Sequence, residues 1–170
     1  MWFAVGGAVL LAVAALVAWA IFSATRPDPG TVTPDDGQGH INTNVPIEQS
    51  TFKPYSSDPP TSGAHWVSPA PKGIYLQMTD ERLVHSLEHG YVIMHHNCSE
   101  TECPDIYEKL KRIYFRYDTK VILNYRPETD SKIALTAWTR LDKMEAFDEG
   151  RIVRFIEAYR GEIGPERTAL

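Results

Sequence analysis

Residues 2–22 contain no charged side chain and are almost wholly apolar, and this segment divides the chain before any other feature is weighed. About 20 apolar residues at a rise of about 1.5 Å match the hydrocarbon thickness of a bilayer. The patterning predicts a single transmembrane helix within residues 1–25, a Pro/Asp/Gly/Thr tether over 26–39, and a folded domain over 40–170. The alternative is a cleaved signal peptide with Ala18-Trp19-Ala20 as its processing site. A signal's apolar core runs about 7–15 residues behind a basic start, and no Lys or Arg precedes this longer one. Ala4, Ala8, Ala12 and Ala15 share one stripe of the expected helix, a face that a second membrane helix could approach closely. An alanine-rich helix facing lipid explains the same spacing.

The 170-residue chain carries a net charge of −5, all of it outside the first 25 residues. Phosphate contacts dominate nucleic-acid affinity, so an acidic domain with no basic run is a poor nucleic-acid binder, and that class is excluded. Arg26 alone would place the domain in the cytoplasm. Two cysteines and a histidine cluster suit an oxidising compartment better. The expectation is a single-pass protein of the cell membrane with its domain on the extracytoplasmic side.

Within the domain, residues 40–72 hold six prolines, yet Phe52, Tyr55 and Trp66 argue for order, so this stretch reads as an irregular segment wrapped over the rest. Regular signals follow. Residues 74–76 suggest a strand. Thr79 can cap a helix over 80–89, with Asp80 and Glu81 in its first turn and Gly90 as its stop. Residues 91–95 form the next strand. Pro104 opens a helix with Ile106, Leu110, Ile113 and Tyr117 on one face. Strands at 120–125 and 132–138 flank a turn marked by Pro127 and Asp130. Asp142 then caps a last helix bearing Met144, Phe147, Phe155, Ile156 and Tyr159, which Gly161 ends. The expected fold is α+β with a small mixed sheet in the order β-α-β-α-β-β-α. Thioredoxin-like domains share that order, but Thr79-Asp80-Glu81 replaces C-x-x-C and no proline precedes the third strand, so no redox chemistry follows.

All six histidines lie between His40 and His96. Imidazole is the commonest protein ligand for transition metals and is largely neutral at pH 7. His85 and His89 stand at i and i+4, on the helix side opposite Leu83, Val84 and Leu87, where two rings can share one ion. His65 closes Pro59-Pro60-Thr61-Ser62-Gly63-Ala64-His65, a turn in which Gly63 can take positive φ. His40 is the candidate fourth ligand. The bland alternative is a solvated helix face and a loop histidine bonded to a carbonyl.

His85-Ser86-Leu87-Glu88-His89 also fits H-x-x-E-H, the inverted zinc-peptidase signature, in which Glu88 would be the catalytic base. Glu157 or Glu162 would then complete the zinc set. Gly90 stops the helix at once and the domain is small for a peptidase cleft, so Glu88 reads more readily as a partner that orients an imidazole, or as a surface acid. His95-His96-Asn97-Cys98 with Cys103 could be a second zinc site. Alternation along a strand puts the two rings on opposite faces, and an even pair of cysteines favours a Cys98–Cys103 disulfide. Ser62 and Ser86 lie near histidines but in no nucleophile motif.

Pro59-Pro60-Thr61-Ser62-Gly63 with His65, Gly73 with Tyr75, Val84-His85-Ser86-Leu87-Glu88-His89-Gly90 and Ala134-Leu135-Thr136-Ala137-Trp138 together resemble an uncharacterised bacterial family of membrane-anchored domains. The likeness spans about residues 40–159. It implies one anchor and an exported domain, and no activity. The residues themselves lead to a transition-metal binder using His65, His85, His89 and His40, for storage, delivery or sensing. Copper comes first, with Met78 or Met94 available to copper(I), and zinc second. An accessory subunit of a membrane complex, docked by its alanine stripe and with structural histidines, is the competing expectation.

Overall fold

The computed structural model describes residues 13–18, 27–42, 45–98 and 101–169. Among the described residues within 27–169, eight strands and three α-helices follow one another, with a short 3-10 turn at Ile47–Gln49: β1 (Thr31–Val32), β2 (His40–Ile41), β3 (His65–Trp66), β4 (Ile74–Leu76), α1 (Asp80–Glu88), β5 (Val92–His96), α2 (Pro104–Tyr114), β6 (Val121–Tyr125), β7 (Ile133–Ala137), β8 (Arg140–Met144) and α3 (Glu149–Tyr159). Six strands form one mixed sheet in the order β1-β8-β7-β5-β6-β4, and β2 pairs with β3 apart from it.

The sheet is built on β5. Val92, Ile93 and Met94 make a continuous apolar run, the signature of a strand covered on both faces. Successive side chains point to opposite faces. Val92 and Met94, with Val121, Leu123 and Leu135, accordingly meet Leu110 and Ile113 of α2 and Phe155 of α3. Ile93 and Ile122 meet Leu83, Val84 and Leu87 of α1 on the other side. This α+β core holds α1 against the sheet and leaves its outer side for the wrapping segment.

Several expectations need correction. Among the described residues no helix is long and apolar enough to cross a membrane, so the expected transmembrane helix is not supported. Residues 13–18 are helical. Ala4, Ala8 and Ala12 of the alanine stripe, and Trp19 and Ala20 of the alternative cleavage site, lie outside the described residues.

The last helix does not begin at Asp142. A two-residue turn in which Thr139 takes φ of 55° sends the chain back as β8, so Met144 reaches the core from a strand. Asp142 instead accepts from Arg151 Nε at 2.9 Å, and the cap of α3 is Asp148, whose carboxylate accepts from Arg151 N at 2.9 Å. The full order therefore carries an additional strand before that helix. Nor do β6 and β7 form a hairpin across Pro127 and Asp130, because they flank β5 on opposite sides. β4 and β5 are likewise separated by β6, so element order does not translate into strand order. The expected tether supplies β1 on the sheet edge, and the irregular wrap contains a parallel pair in which His40 is registered with His65.

Candidate metal centre

The wrap is stitched onto α1 by polar contacts that the helix presents away from the sheet. Ser86 Oγ donates to the Ala70 carbonyl at 2.7 Å and accepts from Ala70 N at 3.0 Å. Glu81 Oε1 accepts from Ile47 N at 2.9 Å, and Arg82 Nη2 donates to Pro69 O at 3.0 Å. These bonds hold β3 over the outer face of α1, where His85 and Glu88 project.

Four side chains meet there. His40, His65, His85 and Glu88 each offer one donor atom, and these atoms lie within 4.8 Å of one another. His65, His85 and Glu88 are buried and His40 is exposed. Each element delivers its residue for a local reason. Gly63 adopts φ of +122°, which turns the chain so that the His65 ring folds back on its own loop. His40 arrives because β2 is registered on β3, placing the two side chains side by side. His85 and Glu88 stand three residues apart on α1, neighbours on the helix surface.

Two of the rings have their tautomers set by main-chain carbonyls. The His65 Nδ1–H donates to Gly63 O at 2.8 Å, and the His85 Nδ1–H donates to Trp66 O at 2.7 Å. In each neutral ring the lone pair then sits on Nε2, which is the arrangement that orients a metal-binding imidazole. His65 Nε2 lies 2.9 Å from Glu88 Oε2, both fully buried. The contact has the distance of an ion pair but not the alignment of a hydrogen bond, and both atoms are left without a hydrogen-bonding partner. Two buried acceptors facing each other cost about 1–3 kcal/mol each when nothing bridges them.

Burial opposes charge on both partners, and the pair is relieved only when a proton or a cation lies between them. Burial pulls His65 below the ordinary imidazole range and pulls His85 down to about 4, the Trp66 hydrogen bond opposing the shift. Burial raises Glu88, and the Glu166 carboxylate raises it further. The site disfavours both the imidazolium and the carboxylate, so it lacks a positive charge at its centre. A divalent cation supplies one. Three imidazole nitrogens and a carboxylate oxygen form a coherent donor set for such an ion. Donors held at about 2.05 Å can be at most about 4.1 Å apart, so any pair near the 4.8 Å limit must draw in on loading.

His89, expected as a principal ligand, stands just outside this group. It is the C-cap of α1, and its Nε2 lies 3.1 Å from His85 Nε2. Glu166 Oε2 approaches the same nitrogen at 3.4 Å. Glu88 thus joins the donors instead of standing behind them, and the acid that reaches this end of the site is Glu166, not Glu157 or Glu162. The helical wheel could have shown the first point, since i+3 and i+4 both flank His85. Nothing local announces Glu166, which arrives on the chain after α3. Met94 packs in the main core and Met78 against the core beneath α1.

Cys98 and Cys103 are joined by a disulfide. His95 and His96 point to opposite faces of β5, the first toward Thr136 Oγ1 at 3.2 Å and the second to Cys98 O at 2.7 Å. The second zinc cluster therefore does not assemble. Ser62 and Ser86 spend their hydroxyls on main-chain bonds with Asp36 and Ala70.

A family model described as a protein of unknown function, DUF3105, matches residues 47–170. That span contains His65, His85, Glu88, His89 and Glu166, while His40 precedes it. No curated protein and no solved structure matches the chain.

Proposed function

We propose, for a chain that belongs to the DUF3105 family, that the domain binds one transition-metal ion through His40, His65, His85 and Glu88. The observation that carries this reading is the pair of buried, unpartnered acceptors, His65 Nε2 and Glu88 Oε2, facing each other at 2.9 Å. Backbone carbonyls that fix two imidazoles with Nε2 directed inward support it further. Imidazole nitrogens with one carboxylate suit copper(II) or zinc. The thioether help once expected for copper(I) loses support, because Met78 and Met94 are spent on core packing. A disulfide between Cys98 and Cys103 favours an oxidising, extracytoplasmic setting.

Storage, delivery or sensing of the ion fits better than peptide cleavage. A peptidase glutamate must keep its carboxylate free to activate water, whereas Glu88 stands among the donors. Elemental analysis and competition titration with copper(II) and zinc test the reading on the full chain. Wild type should hold one equivalent, His65→Ala/His85→Ala should hold none, and Glu88→Gln should weaken binding by at least about tenfold, or about 1.4 kcal/mol. A folded wild type that takes up neither ion would overturn it and leave the histidines as packing groups of an accessory subunit.

A further inference from the structure

Three imidazoles form a triangle and the fourth extends it. Ring centroids are 5.0 Å apart for His40 and His65, 4.7 Å for His65 and His85 and 5.3 Å for His40 and His85, and His89 adjoins His85 at 4.6 Å. One end is open at His40, beside a cavity of about 410 Å³ bordered by Ile41, Gln49 and Phe52. At the other end Glu166, its side chain 56% exposed, reaches His89, which is 11% exposed. His65 and Glu88 are sealed between the two ends.

We propose that His85, His89 and Glu166 form a second, outer metal position, and that an ion passes between it and the inner group by exchanging ligands on His85. This inference rests on the metal-binding reading above. Donors 3.1 Å and 3.4 Å apart, each about 2.05 Å from one ion, subtend about 100° and 110° at it. Those angles suit a tetrahedral ion, and the exposed Glu166 side chain can swing toward His85 to complete the set. His85 is the shared ligand, and because its Nδ1 is bonded to Trp66 O, only Nε2 remains to bind. One nitrogen holds one ion, so the two positions fill in turn and the stoichiometry stays at one.

The exchange is redox-neutral. Bonds from the ion to His89 and Glu166 break as bonds to His40, His65 and Glu88 form, and His85 stays attached. His89, whose Nε2–H donates to His85 Nε2 when the ion is absent, carries that hydrogen on Nδ1 while the ion holds Nε2. The outer position is also built, since the chain that brings Glu166 is fastened to the end of α1. Gly161 N donates to Gly90 O at 2.9 Å and Glu166 N donates to Glu88 O at 3.0 Å. Gly164, at φ of +119°, passes so close that a side chain there would lie 2.5 Å from Glu88 O.

Stopped-flow loading of the full chain with zinc, and release to an excess of a chromophoric chelator, separate this route from a static site. Glu166→Gln should still hold one equivalent, with Kd within about threefold of wild type, while loading and release both slow by about tenfold or more. Glu162→Gln, a like loss of charge on the same segment, should leave both rates unchanged. Wild-type rates in Glu166→Gln would overturn the proposal and leave the His40 opening as the route. Equal slowing in Glu162→Gln would overturn it as a general field effect. A loss of affinity of about tenfold or more in Glu166→Gln, as in Glu88→Gln, would make Glu166 a resident ligand with no outer position. A wild type that binds no zinc would remove the parent reading as well, a result distinct from binding with unchanged rates.

Discussion

Gly63 shows how a single residue can determine a site two positions away. At φ of +122° it lies where a side chain is strained, and a Cβ there would sit 2.9 Å from the ring of Tyr55. Tyr55 is itself fixed, its hydroxyl donating to Ala64 O at 2.7 Å. The carbonyl of Gly63 is the acceptor that sets the tautomer of His65. Gly63→Ala should therefore destabilise the domain by about 1–3 kcal/mol and lower metal affinity together, read by urea unfolding and by titration. Unfolding stability equal to wild type would mean the turn tolerates the side chain. The glycine and the histidine were legible as a pair in the sequence, because a turn is a local event. The partner that fills the space beside Gly63 was not, since Tyr55 comes from a separate bend of the wrap.

At the scale of elements, α1 performs two tasks with two faces. Leu83, Val84 and Leu87 bind it to the sheet, and the polar side binds the wrap and carries the donors. The i, i+4 spacing and the Thr79 and Gly90 boundaries made this helix readable from the chain, because helix periodicity repeats within a few residues. Ser86, read only as a serine near histidines, is the stitch between the layers. Ser86→Ala leaves the buried Ala70 N–H without its side-chain acceptor and should cost about 1–2 kcal/mol. Metal affinity should fall with it, since the wrap carries His40 and His65; calorimetric unfolding and titration measure both. Local pattern alone points to a helix start within β8, because Asp142 resembles a cap and Met144 and Phe147 are spaced as on a helix. The turn at Thr139 and pairing with β7 settled the matter, and both are contacts beyond the reach of a short window.

For the molecule as a whole, burial of histidine sets the response to acid. His95 is held down to about 3, chiefly by burial, with Arg126 and His96 adding to the effect. Burial also lowers His65, His85 and His96. A folded value below the unfolded one, near 6.5, means that the unfolded chain takes up protons first as pH falls. The contribution of His95 is complete above about 6.5 and is lost as pH drops from there toward about 3, at about 1.4 kcal/mol per pH unit for each proton. Urea midpoints of the metal-free chain should thus fall between pH 7 and pH 4, and His95→Gln should flatten the curve by about one proton. Parallel curves for variant and wild type would exclude His95 as a source.

The chain alone determined what lies within a turn or a strand: the apolar alternation, the boundaries of α1, the histidine pair, and a disulfide across a short loop. Tertiary structure decided the strand order, the meeting of His40 with His65 through parallel register, and the arrival of Glu166 at His89. Local choices follow from propensity and periodicity over a few residues. The others depend on which apolar faces pack together and on where distant segments are carried by that packing, and no neighbouring residue encodes it.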